Sequence, residues 1–302
     1  MKILVCDPVK REAISYLSKN GISVAFHSDI SEAELMGKVV KFEGLMVRSR
    51  TKVTKEVIEK GKQLKVVGRI GSGCDNIDIE TCRQKKIIVV NAPDANSQSV
   101  AELTVALIIS LLRKLDFAFT SMKKDKWLKN EIWGEELASK TVGIIGYGYV
   151  GKRLAKLLSC FGCKLQIFSR SYQNCSIDEL FSGSDIITIH AALTKKTEGM
   201  IGKELLTKMK KHAYLVNISR GSIIDEDALY NVLSNGKIAG AALDVFWQEP
   251  LPPDSKWRKL QNVLVTPHIG AATHDALKKA SQTVAEDIIR ISRGEKPKYQ
   301  VI

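Results

Sequence analysis

The chain reads as an α/β protein with two doubly wound parallel-sheet domains, and three observations carry that reading. Short unbroken apolar runs rich in Val and Ile recur over most of the sequence, as expected of strands buried on both faces. The segments between them repeat apolar residues at helical spacing, as at Leu154, Leu157, Leu158 and Phe161. Alternating strands and helices imply a parallel sheet with right-handed crossovers. A length of 302 residues leaves room for two cores.

Taken in order, the runs "KILVCD", "ISVAFH", "GLMVRS", "LKVVGRI" and "IIVVN" predict five strands ending near residue 91. Residues 99–115, "SVAELTVALIISLLRKL", predict a helix. Its apolar positions 100, 103, 107, 108, 111, 112 and 115 are too many for one narrow stripe, so it is expected to be largely buried. The stretch "DKWLKNEIWGEEL" that follows has no core periodicity and is either a dimer arm or an ordered loop. Six more strands are predicted by "TVGIIG", "KLQIFS", "DIITIH", "AYLVNIS", "AGAALDVF" and "NVLVTP". The expected division is one domain of residues 1–93 with 271–302 and a second, inserted domain of residues 94–270. The active site is expected in the cleft between them.

Composition narrows the function classes. The net charge is +13, yet lysines are interspersed with acids and no basic tail or aromatic-interleaved patch exists. A lysine-rich solvated surface that attracts small anions is expected, rather than a nucleic-acid partner. The N-terminus "MKILVCDPVK" lacks a signal-peptide core, and the apolar stretch "LTVALIISLL" is shorter than the roughly 20 residues of a membrane span. A cytoplasmic protein with no membrane partner is expected. Cys160 and Cys163 form a CxxC, but no second pair stands at metal-ligand spacing, so they are expected to pack as small hydrophobes and no metal is expected.

"GYGYVG" places Gly146, Gly148 and Gly151 between a predicted strand and a predicted helix. The first glycine permits the tight turn, the second the approach of backbone to a pyrophosphate, the third close helix–sheet packing. The helix N-terminus then offers N–H groups to the phosphates, which marks a Rossmann-like dinucleotide site. About 20 residues further on, an acid usually holds the adenosine ribose. Here Ser169, Arg170 and Ser171 stand instead. A 2′-phosphate suits an arginine and repels a carboxylate, so NADP(H) is favoured, with NAD(H) possible if Arg170 merely stacks on adenine.

Three polar stretches fall at predicted strand ends: "LVNISRGSIID", "GAALDVFWQEP" and "VLVTPHIGAAT". They could bring Arg220, Glu249 and His268 to one crevice. An arginine to grip a carboxylate, a histidine to donate a proton and an acid to orient it are what reduction of a 2-keto acid requires. The other histidines read as structural: His27 and His212 near strand ends or the surface, His190 ending a strand, and His274 in a first helical turn capped by Thr273.

With these stretches in hand, the chain resembles the D-isomer-specific 2-hydroxyacid dehydrogenases over essentially its whole length, most strongly from residue 44. "GYGYVG", "HAALTKKTEGMIGKELLTKMKKHAYLVNISRGSIIDEDAL", "GAALDVFWQEP" and "TPHIGAAT" carry the resemblance. It implies that Arg220 binds substrate, His268 is the acid/base and Glu249 its partner. It further implies Asp244 at the nicotinamide carboxamide, with Ile218, Ser219 and Gly270 lining that end. Tyr149 and Val150 would meet the pyrophosphate and Ala191 the loop beside it. The sequence departs from the family at "HAALT", which lacks a proline, and at Ser169, where an Asp is usual. A homodimer through residues 99–140 is implied as well.

For the substrate, Gly71 and Gly73 around Ser72 allow backbone N–H groups to hold an anion. The resemblance assigns that loop to the substrate carboxylate. Ser49 and the arginines Arg48 and Arg69 lie in the flanking stretches; the arginines form either a second anionic site, suited to phosphate, or structural salt bridges. These stretches look most similar to the phosphoglycerate dehydrogenase branch, without its regulatory domain, and would place the reaction in serine biosynthesis. A glyoxylate/hydroxypyruvate reductase is the alternative, and a dinucleotide-sensing protein without turnover is the alternative of another class.

Overall fold

Both sheets of the protein are parallel throughout, which is why their strands are only three to five residues long and apolar on both faces. The computed structural model describes Met1–Ile302 and falls into two units, Met1–Ser97 with Ala271–Ile302, and Gln98–Gly270.

In the first unit, β1 (Lys2–Val5), β2 (Ser23–Phe26), β3 (Gly44–Val47), β4 (Val66–Arg69) and β5 (Ile88–Asn91) alternate with α1 (Arg11–Lys19), α2 (Glu32–Lys38), α3 (Lys55–Lys60) and α4 (Ile79–Gln84). The spatial order is β2-β1-β3-β4-β5. Successive residues of each strand serve opposite cores. Leu4, Leu45, Val67 and Val89 pack with Leu35, Val57 and Cys82 on one face. Ile3, Met46, Val66 and Val90 pack with Ala13 and Leu17 on the other.

The second unit opens with α5 (Ser97–Arg113) and α6 (Leu115–Lys123). It continues through β6 (Thr141–Ile145), α7 (Tyr149–Ser159), β7 (Lys164–Phe168), α8 (Ile177–Gly183), β8 (Ile186–Ile189), α9 (Lys203–Leu206), β9 (Tyr214–Asn217), α10 (Glu226–Ser234), β10 (Gly240–Leu243) and β11 (Val263–Val265). Its order, β7-β6-β8-β9-β10-β11, has a single strand outside β6. One face carries Leu154 and Leu158 of α7 with Ile108 of α5, and the other buries Phe181, Leu229 and Trp257. The chain then returns to the first unit in α11 (His274–Ser292), whose Val284, Ala285 and Ile288 complete the core under β4 and β5.

Two sequence expectations need correction. The long helix stops at Arg113, because Lys114 turns left-handed at φ 51°, and α6 follows as a separate helix, although Val100, Leu107, Ile108, Leu111 and Leu112 are buried as expected. Of the CxxC pair, Cys163 packs as a buried hydrophobe but Cys160, at the C-cap of α7, is exposed. The Trp-bearing stretch beyond α6 forms neither helix nor strand, and Trp127 and Trp133 are each 76% exposed. No helix is long and apolar enough to cross a membrane.

Asp185, just before β8, ties the start of β6 into the sheet. It accepts hydrogen bonds from Thr141 N–H at 2.8 Å, Lys210 Nζ at 2.8 Å and His212 Nε2 at 3.1 Å. Burial opposes its ionisation, but Lys210, the Thr141 N–H and His212 hold its pKa at about 2. A carboxyl lowered on folding stabilises the fold above its ordinary value of 3.8 and loses that contribution as pH falls through about 2. Asp185→Asn is therefore expected to cost about 1–2 kcal/mol at pH 7 and far less near pH 2, measured by urea unfolding at both pH values.

Candidate active site

The turn after β6 is built around two glycines that no other residue replaces. Gly146 has φ +95°, and a Cβ there would lie 2.7 Å from the backbone of His190 and Ala191. A Cβ on Gly151 would sit 2.1 Å from the carbonyl oxygen of Gly146. Gly148 differs: a Cβ there would meet nothing within 4 Å. The residue is the N-cap of α7 and supplies no side-chain cap, so the first-turn N–H groups at Tyr149, Val150 and Gly151 border open space. Such an open helix start, with the positive end of an eleven-residue helix behind it, is of the kind that holds a pyrophosphate.

At the end of β7 the side chains divide. Ser169 Oγ donates to the Tyr172 carbonyl at 2.7 Å and accepts from Tyr172 N–H at 3.0 Å. The hydroxyl thus closes a turn that leaves Arg170 and Ser171 exposed. The Tyr172 ring lies 5.0 Å from that of Tyr147 in the glycine loop, a tilted aromatic pair beside Arg170. Deeper in the unit, the half-buried His190 shares a 2.8 Å hydrogen bond with Thr188 Oγ1, and desolvation pushes its pKa down to about 3, which fits a neutral structural ring.

The segments after β9, β10 and β11 carry Arg220, Glu249 and His268. Asn217, fully buried, accepts from Ser219 N–H and Oγ and donates to the Arg220 carbonyl at 2.9 Å, shaping the loop that presents Arg220. Gly221 lets this loop touch the next: a Cβ would lie 2.4 Å from the Phe246 carbonyl carbon. Phe246 N–H donates to Glu249 Oε1 at 3.0 Å, and Glu249 Oε2 lies 2.6 Å from His268 Nδ1. Burial opposes ionisation of Glu249. The bonds from His268 and Phe246, with the charges of His268 and Arg220, nevertheless hold it below the ordinary carboxylate range. The result is an imidazole with Nδ1 committed to a carboxylate and Nε2 left for chemistry.

His268 itself is left-handed, φ 53°, a strained backbone for a side chain of its size. Asp244 enforces it. Wholly buried, Asp244 accepts from Thr266 Oγ1 at 2.6 Å, Ile269 N–H at 2.9 Å and Gly270 N–H at 2.8 Å, bracketing His268 on both sides. Ile218 and Gly270 adjoin its carboxylate, since a Cβ on Gly270 would lie 3.1 Å from Asp244 Oδ2 and 3.3 Å from Ile218. Asn217, Thr266 and the Phe246 N–H were not singled out from the sequence. A polar residue ending an otherwise apolar strand was the signal available for Asn217.

In the first unit, Gly71 has φ +145° and the loop is held by Asn91 Nδ2 donating to the Ser72 carbonyl at 2.6 Å. Arg69 folds over Gly71, its Nη1 donating to the Ile70 carbonyl at 3.2 Å. Ser49 is exposed at the end of β3, and Arg48 lines an open hollow. Val47 pairs with Arg69 across β3 and β4, so Arg48 and Arg69 stand at neighbouring strand ends. Arg50 forms a salt bridge, its Nε donating to Asp7 at 2.9 Å.

Residues 105–270 match the NAD binding domain of D-isomer specific 2-hydroxyacid dehydrogenases. The D-3-phosphoglycerate dehydrogenase of Archaeoglobus fulgidus is 43% identical over 97% of this chain, which spans 58% of that protein's length. The chain belongs to the D-isomer specific 2-hydroxyacid dehydrogenase family. The hydroxypyruvate reductase of Thermotoga maritima is 38% identical over 96% of this chain and 97% of its own. An acyclic imino acid reductase (Bsp5), solved in complex with NADPH and D-Arg, superposes with a TM-score of 0.90 at 30% identity over the whole of both chains.

The residues of this family member fit a nicotinamide dinucleotide. Open space at Gly148, an uncapped helix N-terminus and a buried carboxylate near Gly270 follow one another along the carboxyl ends of the sheet. The glycines separate packing from binding. Gly151→Ala is expected to cost about 2 kcal/mol and lower Tm by roughly 4–8 °C. Gly148→Ala is expected to leave Tm within 1–2 °C but weaken dinucleotide affinity at least tenfold, since its methyl enters only the open cradle. Thermal melts with and without NADH and NADPH check both.

Proposed function

We propose that the chain interconverts a D-2-hydroxy acid and its 2-keto acid, with 3-phosphohydroxypyruvate and D-3-phosphoglycerate as the best pair. The observation that carries this reading is the 2.6 Å bond between Glu249 and His268, with the Arg220 charge acting on the same carboxylate. The bound nicotinamide supplies or accepts the hydride at the substrate's C2. Arg220 would grip the substrate carboxylate. His268 Nε2 would give a proton to the developing alkoxide in reduction and remove it in oxidation, while Glu249 fixes the ring. Asp244, with Ile218, Ser219 and Gly270, would hold the nicotinamide end, and Tyr149, Val150 and Ala191 the pyrophosphate. In the first unit, Arg48, Ser49, Arg69 and the backbone of Gly71, Ser72 and Gly73 would recognise the anionic ends of the substrate.

NADP(H) is favoured, because Arg170 is exposed where a ribose acid usually stands and has no carboxylate beside it. Ser171 supports that role; Ser169 would act mainly by shaping the turn, its hydroxyl being engaged by Tyr172. A glyoxylate/hydroxypyruvate reductase is the second reading, favoured by the full-length match to the Thermotoga maritima enzyme. A homodimer is supported by the exposed apolar strip of Phe117, Phe119, Met122, Trp127 and Trp133, too large a patch for solvent alone. Six unpaired cysteines suit the reducing cytoplasm.

Initial rates on 3-phosphohydroxypyruvate, hydroxypyruvate and glyoxylate, each with NADPH and NADH, decide among these. Preference for the phosphorylated acid supports the first reading, preference for the small acids the second, and turnover of none overturns both. A faster rate with NADPH that reverses in Arg170→Asp supports the 2′-phosphate assignment, and equal rates with NADH remove it. His268→Ala is expected to lower kcat by about 10³-fold or more while leaving NADPH affinity within twofold. Sedimentation at micromolar concentration should give twice the 33.4 kDa chain mass.

A further inference from the structure

The outer edge of β5 is covered by residues 299–302, which lie antiparallel to it outside the named strands. Val90 stands opposite Gln300. Val301 N–H donates to the Val89 carbonyl at 2.8 Å, and Asn91 N–H donates to the Tyr299 carbonyl at 3.2 Å. A bare sheet edge leaves donors and acceptors unpaired, so a covering segment protects it. The anchor of this segment lies in the core. Asp287 of α11 is buried and accepts from Lys298 N–H at 2.6 Å and Tyr299 N–H at 2.9 Å. A buried carboxylate must keep its donors, so Asp287 fixes where the segment joins β5.

The end of β5 also holds the loop after β4. Asn91 Nδ2 donates to the Ser72 carbonyl at 2.6 Å, and Ala92 N–H donates to the Gly71 carbonyl at 2.9 Å. Two successive loop carbonyls are thereby drawn to β5. The N–H groups of Ser72 and Gly73 meet no acceptor within the chain. Each of these N–H groups shares a planar trans peptide with one of the two held carbonyls and points the opposite way. Bonds that hold the carbonyls therefore aim the donors, and adjacent free donors make a concavity for an anion. A run of bonds joins Asp287 to Tyr299, Tyr299 to Asn91 and Asn91 to Ser72, all inside the first unit.

We propose that Asn91 and residues 298–302 are positioning elements for the Gly71–Gly73 loop, so that affinity for the substrate's carboxylate depends on how this segment sits on β5. The proposal rests on the reading of a 2-keto acid reductase for the identity of that substrate. Asn91, Asp287 and the segment act through the loop's peptide planes and not on the acid itself.

The test compares the full chain with Asn91→Ala, Asp287→Asn and Val301→Pro, by steady-state kinetics on 3-phosphohydroxypyruvate and hydroxypyruvate and by amide exchange over residues 70–77. Asp287→Asn leaves a side chain that accepts only one of the two N–H groups, and Val301→Pro removes the donor to Val89. KM for the faster acid is expected to rise at least about fivefold in Asn91→Ala and about threefold in the other two, with kcat and NADPH affinity within twofold. Exchange over 70–77 is expected to quicken at least about fivefold in all three. Charge alone predicts the opposite sign for Asp287→Asn, because loss of a negative charge favours an anion and lowers KM. Unchanged KM beside a lowered Tm leaves the segment structural and overturns the proposal. Exchange that quickens only at 88–91 and 298–302 overturns it as well. Val301 is exposed, so Val301→Pro carries the test should Asp287→Asn fail to fold. If the wild-type chain reduces neither acid, the functional reading fails by itself and exchange decides the rest: quickening over 70–77 supports the hold on the loop, and unchanged exchange there overturns it.

Discussion

A carboxylate with no exposed surface must be met by donors, and Asp244 meets three within a five-residue span, from Thr266 to Gly270. Those donors exist only if the chain between them turns sharply, and the residue at the turn is His268 at φ 53°. The strain of a left-handed histidine is thus held by bonds whose loss would cost about 1–3 kcal/mol each in a buried place. Glu249 reaches the same imidazole from the β10 side, with its other oxygen fixed by Phe246 N–H. One buried acid sets the backbone and one half-buried acid sets the ring. The imidazole therefore has little freedom, the kind of fixed placement by which position lowers a barrier.

The glycine loop works by a complementary logic. At Gly146 and Gly151 the constraint is the protein's own backbone, with 2.7 Å and 2.1 Å separating a hypothetical Cβ from neighbouring main chain. At Gly148 the protein imposes no such constraint. Identical residues in one motif therefore answer to different surroundings, two to neighbouring main chain and one to open space. That division is invisible to a pattern of spacing alone.

Much of the fold was legible because a parallel sheet leaves an unmistakable record: both faces buried, so runs such as Leu45, Met46 and Val47 have no polar alternation. Arg220, Glu249 and His268 were legible because charged residues at strand ends contrast with that background. What escaped the sequence depended on partners far along the chain. Arg48 and Arg50 differ by two positions and look alike, yet Asp7 and three carbonyls consume Arg50 while Arg48 keeps its guanidinium free. Ser169 reads as a ligand for a ribose phosphate until its hydroxyl is found closing a turn with Tyr172. The helix break at Lys114 had no glycine or proline to announce it.

The two units share a principle and differ in its chemistry. Each has its switch point beside a central strand, between β1 and β3 in one and between β6 and β8 in the other. At the second, glycines withdraw side chains so that main-chain N–H groups and a helix end face outward, as anion sites at helix starts do. At the first, no such withdrawal occurs: Arg48 is clamped by its backbone so that a side chain meets the solvent instead. Main-chain donors are fixed in number and charge, and they suit a cofactor whose pyrophosphate never varies. Side-chain donors can be exchanged one residue at a time, which suits a site whose specificity must change without a change of backbone.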